Sequence, residues 1–99
     1  MTLDHWLADH TREAPPLLRD RVVAHAAAVT EGATDAEQLA LAAERVLAIV
    51  EEHPGSRAIA LDLLAADALI TLALLAQAES APQHLGAFTE GLLAAERIA

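Results

Sequence analysis

Cysteine is absent from the 99 residues, which removes disulfides, thiolate zinc sites and thiol nucleophiles together. Lysine and tyrosine are also absent; the six basic residues are all arginine and face 15 acids, for a net charge of −9 and a pI near 4.7. Attraction to phosphate backbones needs a basic patch, so nucleic acid and anionic membrane are poor partners. The carboxylates are spread over every helix, which also argues against an acidic mimic of nucleic acid. The four glycines stand singly, leaving no phosphate-cradling loop. The only serines, Ser56 and Ser80, both stand where helix caps are expected. No catalytic residue, metal site or cofactor is expected from these absences. His5 and Asp9 share a helical face, but there is no H-E-x-x-H and no Glu three before a His.

What remains is 55% hydrophobic with only 2% aromatic, a core of Leu, Ala, Val and Ile with Trp6 and Phe88 as its large rings. The pattern predicts an all-α fold: a small antiparallel helical bundle of four main helices plus a short N-terminal helix, with residues 1–99 as one domain. Thr2 caps the first helix, which Pro15 and Pro16 end. The second runs from Pro16 to about Thr30, with the stripe Leu18, Val22, His25, Ala26 and Val29, and Glu31-Gly32 closes it. Thr34 and Glu37 form a capping box opening a third helix to about Glu52, with Leu39, Ala43, Val46, Ile49 and Val50 inward. After the turn His53-Pro54-Gly55, Ser56 caps the fourth. Ser80 and Gln83 read as a capping box for the fifth, whose seam is Leu85, Phe88, Leu92, Ala95 and Ala99. Gly86 and Gly91 are expected where another backbone comes close. The echo LAAERV at Leu41 and LAAERI at Leu93 extends no further and implies no repeat.

The fourth helix, Arg57 to Glu79, organises the chain. Between Ile59 and Ala76 its only polar side chains are Asp62, Asp67 and Thr71. At about 100° per residue it carries two leucine-rich faces and a flat alanine face, so its own chain or a second copy must cover it nearly all round. It is long enough to span a bilayer, but each aspartate near its middle would cost roughly 2.5 to 3.5 kcal/mol there, which favours a buried helix. The N-terminus, MTLDHWLADH, lacks the basic-then-apolar order of a signal peptide, so the expected location is cytoplasmic. The segment LLAADALITLALLA, Leu63 to Ala76, resembles the Ala/Leu helix of polyprenyl diphosphate synthases. The Asp-Asp-x-x-Asp motifs by which that family holds diphosphate through magnesium are absent, so no site residue carries over.

The functional expectation is a non-enzymatic helical protein that acts by self-assembly, as a homodimer or larger assembly, or through a protein partner. Its interface is expected to include leucines of the fourth helix or the seam Leu85, Phe88 and Leu92. The alternative is a binder of a small or lipid-like ligand, with Asp67, Thr71, His25 and Asp62 as the candidate polar groups of a Leu-lined cavity. Asp67 is expected to be at least half buried, with Thr71 as its neighbour and His25 or Arg21 as its distant partner.

Overall fold

A computed structural model describes residues 2–53 and 55–98, with side chains described through residue 94. Pro54 and Ala99, with the side chain of Ala95, therefore lie outside the described part of the expected turn and seam. The elements are α1 (Leu3–His10), α2 (Pro16–Ala27), α3 (Asp35–Glu52), α4 (Arg57–Ser80) and α5 (Leu85–Ile98), with a 3₁₀ turn at Pro82–His84 before the last. Among the described residues there is no strand, and short connections lay successive helices side by side as antiparallel neighbours.

Local chemistry sets the starts of α1, α3 and α4. The hydroxyls of Thr2, Thr34 and Ser56 accept from the backbone N–H groups of His5 (3.2 Å), Glu37 (3.1 Å) and Ile59 (3.1 Å). At α3 the Glu37 carboxylate returns to the N–H of Ala33 at 2.8 Å, one residue before the cap, a variant of the expected box. α2 ends at Ala27, three residues earlier than its pattern suggests. The amide of Gln38 donates to the carbonyls of Ala26 and Val29, both at 3.0 Å, and so satisfies the end of this helix from α3. Gly32 turns the chain at φ 105°, and a Cβ there would lie 3.0 Å from the backbone nitrogen of Gln38.

Two local expectations fail at the other end. Ser80 is the last residue of α4 and caps nothing; Ala81 precedes the 3₁₀ turn without a side-chain cap. The buried Gln77 holds this corner instead, its amide donating to the Ala81 carbonyl at 3.1 Å while the Ala81 N–H donates to the Gln77 carbonyl at 2.9 Å. Gly86 and Gly91 face open space, with nothing within 4 Å of an added Cβ, so no close backbone explains them.

The core lies where α2, α3 and α4 meet, with Leu7 entering from α1. Its largest fully buried side chains are Leu7, Leu39, Leu69, Val22 and Val46. α3 and α4 form the most extensive helix pair, and alanine is the commonest residue that each buries: Ala36, Ala40, Ala42 and Ala43 on α3, Ala65, Ala66, Ala73 and Ala76 on α4. Small side chains on both helices let their axes approach closely. The alanine face of α4 is thus its inner face, and the chain does not cover the helix all round. Leu63, Leu64 and Leu75 remain 50%, 57% and 40% exposed. Ile49, expected inward on α3, is also exposed, whereas Phe88 and Leu92 of α5 pack against the core.

Candidate functional site

On the inner side of α4, Asp62 is buried yet held through one carboxylate oxygen. Arg21 and His25, one turn apart on α2 beside the buried Val22 and Ala26, both reach its Oδ1. The Arg21 guanidinium donates at 3.1 Å and His25 Nε2 at 3.0 Å. Since the carboxylate only accepts, Nε2 carries the hydrogen. The Asp62 side chain is 8% exposed and those of Arg21 and His25 37% and 22%, so its two partners stay in touch with water. Such a group joins α2 to α4. A carboxylate–imidazole pair could also orient a base; covalent catalysis by such a base would need a nucleophilic side chain within its reach. Ser56 is occupied as a cap, and Ser80 stands at the far end of the helix. Among the described residues, no three His, Asp or Glu side chains gather at metal-binding distance.

The outer side holds the other two candidates. Asp67 is exposed and pairs with neither Arg21 nor His25, contrary to the expectation of a half-buried, partnered carboxylate. The reason is rotational: five residues on from Asp62, at about 100° each, Asp67 points about 140° away from the α2 side. The expected basic partners are therefore real but belong to Asp62. Thr71 keeps its hydroxyl on its own helix, donating to the backbone carbonyl of Asp67 at 3.1 Å. The four candidates accordingly fall into two pairs on opposite sides of α4, His25 with Asp62 inside and Asp67 with Thr71 outside.

Asp67 also lines an open recess of about 310 Å³ with Leu47, Leu63, Leu64 and Ile70. A second groove, about 340 Å³, runs between α3 and α5 past Leu41, Phe88, Gly91 and Leu92, with Glu37 and Glu44 as its charged lining. Neither touches the Asp62 group. At the C-terminal end of α4, Glu79 accepts from the Trp6 indole at 3.1 Å and lies 3.7 Å from His10 Nε2. The Trp6 and His10 rings stack with centroids 4.0 Å apart. This ties α1 down, a role the sequence hints at only through the single indole donor.

Comparison with family models, curated proteins and solved structures gives no match. The functional argument rests on the surface of the molecule itself. Its most distinctive feature is that, among the described residues, three of the six exposed large hydrophobic residues, Leu63, Leu64 and Leu75, stand on one helix, while Leu17, Ile49 and Leu93 occur singly on α2, α3 and α5. By length and composition α4 would also pass as a membrane span, with a mean hydropathy of 2.1 over its most apolar stretch, one third of which is buried.

Proposed function

We propose that this chain is a non-enzymatic assembly protein whose interaction surface is the outer face of α4, used first of all for self-association. One observation carries the reading: beside Leu69 and Leu72, α4 buries four alanines, Ala65, Ala66, Ala73 and Ala76, while Leu63, Leu64 and Leu75 stay 40 to 57% exposed. Folding alone gains more from the reverse, since a fully buried Leu contributes about 1.5 to 3 kcal/mol. Covering the exposed halves of three leucines on each of two copies is worth about 6 kcal/mol before association costs. Even with no association cost this corresponds to a Kd of only tens of micromolar, so the dimer is expected to be weak and to exchange with monomer.

The ligand-binding alternative keeps one specific support, the recess in which Asp67 sits among four aliphatic side chains. Native mass spectrometry of protein purified from its own host separates the two. Assembly predicts a concentration-dependent species of twice the 10.4 kDa chain mass without adduct. A monomer carrying a retained small molecule, lost in Asp67→Leu, would replace it with the alternative.

A further inference from the structure

We infer that the partner of this face is the same face of a second copy, laid antiparallel across a two-fold axis opposite Leu69. The inference deepens the assembly reading and rests on it. Its basis is a symmetry in the outer surface of α4 about Leu69, the buried residue behind the middle of that face.

Asp67 and Thr71 stand two residues either side of this midpoint, Leu64 and Leu74 five, Leu63 and Leu75 six, and Ala60 and Ala78 nine. Ala60, Leu64, Asp67, Thr71, Leu74 and Ala78 alternate in steps of four and three, the spacing of a helix-pair seam. Every one of them is exposed or half-exposed. A two-fold interface must be self-complementary, each residue meeting its counterpart on the other side of the axis. Here leucine meets leucine, alanine meets alanine, and Asp67 meets Thr71 of the partner subunit.

That last pairing selects the occupant. An exposed carboxylate in the centre of an apolar face opposes burial against lipid or an all-apolar helix. The facing hydroxyl of the partner's Thr71 supplies the donor that Asp67's own helix does not. It reaches the carboxylate by leaving the backbone carbonyl of its own residue 67, an exchange between ordinary threonine rotamers. Antiparallel α4 helices also set opposite helix dipoles side by side, and Arg57 of each copy lies near the C-terminal end of its partner's helix. The two Asp67 carboxylates remain as like charges, about 6 Å apart along the axis in addition to the helix separation.

The absence of cysteine makes the register directly testable. A disulfide needs Cα atoms within about 7 Å. Two copies of residue 64 would lie about 15 Å apart along the axis, whereas residues 64 and 74 face each other. Mixing Leu64→Cys with Leu74→Cys under mild oxidation is expected to give the mixed disulfide at least tenfold faster than either homodisulfide. In the otherwise unmodified chain, Asp67→Asn keeps an acceptor and removes the like charges, and is expected to tighten the dimer about tenfold by sedimentation. Thr71→Val is expected to loosen it several-fold. Homodisulfides in preference to the mixed one, or an Asp67→Asn dimer no tighter than the parent, would overturn the two-fold register while a dimeric parent leaves the assembly reading standing. A parent chain that stays monomeric and co-sediments with phosphatidylcholine vesicles would overturn both.

Discussion

The two sides of α4 carry the same kinds of residue in opposite settings. Inside, Asp62 is buried with Arg21 and His25 on its carboxylate; outside, Asp67 stands among leucines with no side chain on it. The inner side is satisfied: Arg21 and His25 both reach Asp62, and no buried side-chain polar atom among the described residues lacks a partner. The outer side has apolar area uncovered and an exposed carboxylate in its midst. Exposed apolar area of this kind is what the proposed assembly would cover.

The contrast is sharpest in leucine. Leu69→Ala, at a fully buried position, is expected to cost about 3 to 5 kcal/mol in urea unfolding. Leu64→Ala should change the stability of the dilute monomer by less than about 0.5 kcal/mol. Equal losses would dissolve the distinction between the two faces. For the aspartates, Asp62→Ala should cost about 1.5 to 3 kcal/mol, less than for a fully buried pair because water still reaches Arg21 and His25. Asp67→Ala should leave the melting temperature of dilute protein nearly unchanged; a large drop would mean that Asp67 has a partner within its own chain. At the two ends of the same helix, Ser56→Ala should cost about 1 kcal/mol and Ser80→Ala almost nothing, as hydrogen-exchange rates in the first and last turns of α4 would show. Smallest in size, Gly86→Ala should stabilise by about 0.5 to 1 kcal/mol, since nothing occupies the space its Cβ would enter.

Much of this architecture is legible in the chain because it depends on neighbours a few residues apart. Thr2, Thr34 and Ser56 announce helix starts by chemistry completed within three residues, and the stripe of α2 puts Val22, Ala26 and Val29 inside. The choice of which α4 face turns inward is not local. It depends on the helices packed against α4, and an apolar helix read alone does not say which of its three faces turns inward. The same indifference transferred the partners of Asp62 to Asp67, because rotation, unlike composition, distinguishes the two only once α2 is placed. Ser80 failed as a cap because α4 continues through it, and Gln77 took over the corner from inside the helix. Once the alanine face is inside, the outer stripe consists of the leucines that remain.

Sedimentation equilibrium across a wide concentration range, on the parent chain and on Leu64→Glu, addresses the central claim most directly. If the outer face of α4 is an assembly surface, the parent's mass rises with concentration from 10.4 kDa toward twice that value, and Leu64→Glu, folded by circular dichroism, stays at the lower figure throughout. A parent chain that holds at 10.4 kDa at every concentration, or a Leu64→Glu variant that associates as the parent does, would contradict it.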